Sequence, residues 1–173
     1  MKDGGPRPSP TEYYWGTLAQ LAPGLIRAHD SGIAGAAEAC LDVGRSEGAG
    51  LRSKAVWAAP SIRDATAIAA IRAYSRTAPV PHEAIHVYRV DLKPFHAGPV
   101  ALIEELRFRL EAGAGDLQPL ARHYWAPTGI WHVQEFIAPS MTILEEVPAA
   151  TERDVYIRRW VQYNLDRERA VAL

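Results

Sequence analysis

The run His82-Glu83-Ala84-Ile85-His86 places two imidazoles and a carboxylate within five positions. On a helix, histidines four apart share a face and both reach one zinc ion, while the glutamate between them activates the bound water. Glu105 follows His86 at a spacing where some zinc peptidases carry a third ligand. The flanking sequence opposes that chemistry. Pro79 and Pro81 leave no helix ahead of His82, and Val87-Tyr88-Arg89-Val90-Asp91-Leu92 favours a strand. A strand sends His82 and His86 to one side but about 13 Å apart, too far for two bonds of ~2.1 Å to a single ion. The zinc reading, with His82, His86 and Glu105 as ligands and Glu83 as base, is therefore secondary, and no metal is expected. His123 and His132 read as ordinary polar residues, and the single cysteine, Cys40, as a packing residue.

Other familiar chemistry is missing. There is no G-x-G-x-x-G, no P-loop and no G-x-S-x-G, and spacing singles out no Ser, His and acid set. Arginine is the anomaly: of 19 basic residues only Lys2, Lys54 and Lys93 are lysine. Guanidinium groups grip phosphates bidentately. Arg158, Arg159, Arg167 and Arg169 fall on a C-terminal helix, and a GC-rich coding sequence accounts for most of the excess.

These residues need elements to hold them. Residues 1–11, with three prolines and two glycines, read as a flexible tail before one domain spanning residues 12–173. Strands are expected over 12–18, 55–59, 84–92, 134–137 and 141–144, the last two around an Ala-Pro-Ser turn, while 21–26 reads as a Pro-Gly turn and a second short apolar run. Helices are expected over 33–43, from Ser61 onward, over 99–112 and over 151–169. Ser61 caps its helix with Asp64 in the first turn, and Ile62, Ala65, Ile68, Ala69 and Ile71 form its apolar stripe. Residues 45–54 read as a loop. Tyr156, Trp160 and Leu165 read as the anchors of the last helix. Short strands interrupted by helices of unequal length indicate an α+β fold.

The chain has 173 residues, 48% hydrophobic, with a net charge of -1. That excludes a disordered chain and a disulfide scaffold, and it argues against binding duplex DNA through a bulk field. No apolar run approaches the ~20 residues of a membrane span, and the N-terminus has no signal-peptide apolar region, so a cytoplasmic protein is expected.

In order, the segments carry a resemblance. Tyr13-Tyr14-Trp15-Gly16-Thr17-Leu18 with Leu21-Ala22-Pro23-Gly24-Leu25-Ile26 resembles the first strand and loop of ADP-ribosyltransferases, in the rifampin-modifying and diphtheria-toxin-like branches. Val56-Trp57-Ala58-Ala59 and the helix from Ser61 resemble their second element, and Ile85 to Leu92 the strand after it. Val133-Gln134-Glu135-Phe136-Ile137 through Met141-Thr142-Ile143-Leu144 is similar to the late strand pair that carries the family's acid. The resemblance implies two small, mostly antiparallel sheets around an NAD-type cleft with flanking helices. It implies NAD as co-substrate, cleaved at the nicotinamide–ribose bond by a bacterial transferase, in some members a toxin, or by an NAD glycohydrolase. Glu135 would stabilise the ribosyl cation, and Trp15 and Trp57 would sandwich nicotinamide. Gly16 and Thr17 would bind the carboxamide end, and Arg27 and Arg52 the pyrophosphate. The acceptor, whether protein, nucleic acid, small molecule or water, is not implied. Trp15 stands where the family has a histidine and Trp57 where it has a tyrosine. A non-catalytic relative that keeps the cleft for a nucleotide or a partner protein is the alternative.

Overall fold

The computed structural model describes residues 12–27, 35–45, 50–74, 84–113, 115–150 and 153–173. Residues 1–11, together with His82 and Glu83 of the zinc-type motif, lie outside them.

Aromatic and β-branched residues make Tyr13–Thr17 (β1) and His86–Leu92 (β4) strands, paired antiparallel from Tyr13 opposite Val90 to Thr17 opposite His86. With Ser140–Val147 (β7) and Gly24–Arg27 (β2) they form a four-stranded antiparallel sheet in the order β1-β4-β7-β2. A second antiparallel sheet, β3-β6-β5, consists of Val56–Ala58 (β3), Gln134–Ala138 (β6) and His96–Pro99 (β5). The sheets are stitched edge to edge by one bridge, in which Tyr14 and Ala59 exchange hydrogen bonds of 2.9 and 2.7 Å. Five helices complete the described residues: Ala36–Val43 (α1), Ile62–Tyr74 (α2), Val100–Glu111 (α3), Gln118–Trp125 (α4) and Arg153–Val171 (α5). The fold is α+β with two small antiparallel sheets, as the element pattern requires.

Three elements carry no sequence signal of their own. β5 reads His-Ala-Gly-Pro, a poor strand in isolation, and it exists because β6 supplies its hydrogen bonds. α4 starts with Pro119 in its first turn, which suits a helix start, but its buried face is only Leu120, Ala121 and Tyr124. Arg52–Lys54, read as loop, is one 3-10 turn pinned by Asp42, which accepts the Arg52 and Ser53 backbone N–H groups and the Ser53 hydroxyl.

The core has two parts. One lies between the sheets and contains Tyr13, Val56, Tyr88, Val90 and Ile143, with Trp15 and Phe136 packed on it. The other joins Val87 and Val133 to the helices through Ile68, Leu102, Leu106, Leu120 and Tyr124. Gly16 belongs to the helix side, where a Cβ would overlap the Ala65 carbonyl of α2, so only glycine lets β1 sit that close. Ser61 caps α2 as expected, accepting the Asp64 N–H at 3.1 Å and donating its hydroxyl to the Asp64 carboxylate at 2.7 Å.

The anchors of α5 need correction. Leu165 is 51% exposed, while Tyr163, Asp166 and Ala170 are buried. The side chains of Tyr156 and Trp160 lie outside the described residues. Asp166 explains the phase of the helix: its carboxylate accepts the backbone N–H groups of His132 and Val133, each at 2.9 Å, and His132 Nδ1–H at 2.8 Å. A polar tether, which apolar periodicity cannot reveal, sets the buried face. Cys40 is half-buried against the helix-side core.

Candidate functional site

Side chains alternate along β6, so Glu135 and Ile137 share one face and Phe136 takes the other. Phe136 turns into the space between the sheets, its ring centroid 5.4 Å from that of Tyr13. Glu135 consequently points toward the helices. It is completely buried, and four donors converge on its two oxygens. Arg52 Nε and the Tyr124 hydroxyl each donate to Oε1 at 2.7 Å, while Arg52 Nη2 and Arg72 Nη2 donate to Oε2 at 3.0 and 2.6 Å.

Each donor arrives by a separate local device. The Asp42-pinned turn aims Arg52 inward. α2 delivers Arg72 from its buried face, and the guanidinium lies 4.3 Å from the centroid of Trp57. α4 delivers Tyr124 over Gly98, the residue of β5 directly opposite Glu135, where any Cβ would overlap the tyrosine ring. Burial alone would raise the Glu135 carboxyl, but the charges of Arg52 and Arg72 outweigh it and hold the pKa at about 2. Burial followed by the Glu135 charge pushes the Tyr124 hydroxyl well above its ordinary value, so it stays a donor.

Three of the residues singled out in the sequence therefore meet: Glu135 and Arg52 directly, and Trp57 through Arg72. The others are elsewhere. Trp15 packs into the inter-sheet core beside Tyr88, with centroids 6.5 Å apart, whereas Trp57 packs on the helix side, so the two indoles do not face each other. Gly16 is covered by α2. Thr17 Oγ1 accepts the Ala19 N–H at 3.2 Å, and Arg27 ends β2 with an exposed side chain. Of the zinc-type residues, His86 begins β4 and contacts Glu146 at 2.7 Å through Nδ1, while Glu105 is buried on α3 and accepts Arg109 Nε at 2.8 Å. Among the described residues no three His, Cys, Asp or Glu side chains gather as metal ligands.

Sequence reasoning missed Arg72, Tyr124 and Gly98. Arg72 was discoverable, because it continues the apolar stripe Ile62, Ala65, Ile68, Ala69 by helical spacing, and a charge on a buried stripe demands a counter-charge. Tyr124 and Gly98 carry no comparable mark.

Next to this centre lies a cleft of about 500 Å³ walled by α1, α3 and α5 and by Ile71 of α2. Arg107 stands in it between Glu38 and Glu104, donating Nη2 to the first and Nη1 to the second at 2.7 Å. The two sites share one electrostatic network. Glu38 acts on Arg52, and Arg107 and Glu104 act on Arg72.

Chemically, Glu135 is an ionised carboxylate with its acceptor sites filled. It neutralises guanidinium groups where it stands, and a positive charge developing on any ligand would reach it only by displacing Arg72 or Tyr124. A pyrophosphate would likewise have to take Arg52 from Glu135. Among the described residues no helix is long and apolar enough to cross a membrane. Compared with family models, curated proteins and solved structures, the chain finds no match.

Proposed function

We propose that the chain is a non-catalytic, ligand-binding relative of the ADP-ribosyltransferase-like proteins, with Glu135 as its structural centre and its ligand in the cleft beside Arg107. One observation carries this reading. A carboxylate that stabilises a ribosyl cation must face the ribose, and Glu135 is wholly buried with four hydrogen bonds on its two oxygens. NAD titrated into the full chain, with released nicotinamide followed by chromatography, tests it. No release above the uncatalysed rate is expected from the wild type or from Glu135→Gln, while that substitution lowers the melting temperature. Release by the wild type that vanishes in a folded Glu135→Gln protein would overturn the reading.

That opposite result belongs to the second reading, an NAD-dependent ADP-ribosyltransferase or NAD glycohydrolase. It is favoured by the convergence of Glu135, Arg52 and Trp57, which the resemblance names from three separate segments. In that case NAD is the co-substrate, Arg72 or Tyr124 withdraws to admit the ribose, and the acceptor is a protein, a nucleic acid, a small molecule or water.

A further inference from the structure

Among the described residues the last helix leaves one face open to solvent. α5 turns Tyr163, Asp166 and Ala170 inward, and Tyr163, Asn164 and Arg167 line the cleft. A third side carries Arg158, Val161, Leu165 and Glu168, spaced three, four and three apart, which sets them in one row along the helix. Val161 is 53% and Leu165 51% exposed, and the exposed Arg158 and Glu168 bracket them. Arg169 follows Leu165 by one turn and donates to the Thr128 and Ile130 carbonyls, which brings Ile130, 68% exposed, to the edge of the row.

The row is complementary to itself. When two such helices lie antiparallel about a two-fold axis midway between Val161 and Leu165, Val161 stands opposite the partner's Leu165, and Arg158 opposite the partner's Glu168. Each layer occurs twice, so both ends of the seam pair opposite charges. The residues that meet their own counterparts beside the axis are Gln162 and Asn164, and neither is charged. A parallel pair would instead set arginine against arginine and glutamate against glutamate, which is destabilising. An acidic partner helix would meet Glu168 and a basic one Arg158. A second, antiparallel copy satisfies both ends at once.

We propose that this face is an interface between two copies of the chain, an antiparallel pair of α5 helices with Val161 packed on the partner's Leu165 and Arg158 paired with the partner's Glu168. So short a seam buries less than the ~1,200–2,000 Å² of a stable interface. The dimer is therefore a reversible one that forms as concentration rises. It goes beyond the binding reading above and depends on neither Glu135 nor the cleft.

Sedimentation velocity of the full chain over a rising concentration series tests it, and the wild type is expected to pass from monomer toward dimer. Arg158→Glu and Glu168→Arg each set like charges together at both ends of the seam, and each is expected to weaken self-association at least about tenfold. Mixed in equal amounts, these two variants face each other with opposite charges restored, and they are expected to associate within about threefold of the wild type. Leu165→Ala thins both apolar layers and is expected to weaken the dimer by about tenfold. All three positions are exposed, so each variant should keep the wild-type melting temperature when dilute. A chain that stays monomeric at every concentration, a dimer indifferent to the single charge changes, or a mixture no tighter than either variant alone would each overturn the proposal.

Discussion

Glu135 illustrates what a buried charge does to its surroundings. Taking a carboxylate and two guanidinium groups out of water costs several kcal/mol per ion, and only close, well-aligned hydrogen bonds offset it. All four donors here lie within 3.0 Å. Removing one partner is therefore far worse than removing several. Glu135→Ala leaves two guanidinium groups sharing one buried site and is expected to cost about 3–5 kcal/mol. Adding Arg52→Met to it should recover part of that loss. A double-mutant cycle by urea unfolding measures the coupling, and a value under about 1 kcal/mol would show that the pair does not organise the core. The residue-level surprise is Arg52. Its type suggested a phosphate grip, but its neighbour in space is a carboxylate 83 positions away in the chain, which no local pattern discloses.

At the scale of elements, polar tethers do what apolar stripes leave undecided. Asp42 on α1 folds the 3-10 turn that aims Arg52, and Asp166 on α5 holds the approach to β6 that aims Glu135. Asp166 is 1% exposed and Val133 fully buried, so losing the carboxylate strands a backbone N–H with no water to take it. Asp166→Ala is expected to destabilise the chain by about 2–3 kcal/mol and to release the Val133 amide to fast hydrogen exchange. A Val133 amide as protected in the variant as in the wild type would refute the tether. The same tether explains why Leu165, apolar and central in its helix, faces solvent: the helix is phased by Asp166, and Leu165 stands one position away.

The whole molecule should record these burials in its acid response. Burial holds His96 below its ordinary value of 6.5, with its Nε2–H donated to the Tyr124 carbonyl at 3.0 Å. The Arg52 and Arg72 charges, acting against burial, hold Glu135 at about 2, below its ordinary 4.5. Both folded values are depressed, so in each case the unfolded chain binds protons first and stability is lost as pH falls. The His96 contribution declines below about 6.5. The Glu135 contribution, roughly 3 kcal/mol, is lost between about pH 4.5 and 2. Urea midpoints measured from pH 8 to 2.5 should fall in two stages, with the first missing in His96→Asn. A flat profile between pH 7 and 3 would contradict both assignments.

Composition and local pattern determined the class of this protein. Short β-branched and aromatic runs can only be strands, Ser61 with Asp64 can only start a helix well, and their irregular alternation yields α+β layers. These are near-neighbour properties, carried by side-chain propensity and spacing. It is the resemblance to ADP-ribosyltransferases, not these properties, that singles out Glu135 as an acid on a late strand. What it faces was decided elsewhere. β5 and α4 are held by partners rather than by their own residues, and they supply Gly98 and Tyr124 to the site. Arg72 pairs with Glu135 across 63 positions. Ion pairs form wherever the fold brings opposite charges together, and chain order says nothing about that meeting. Only the tertiary structure turned an acid suited to catalysis into a buried hub and placed the open cleft beside it.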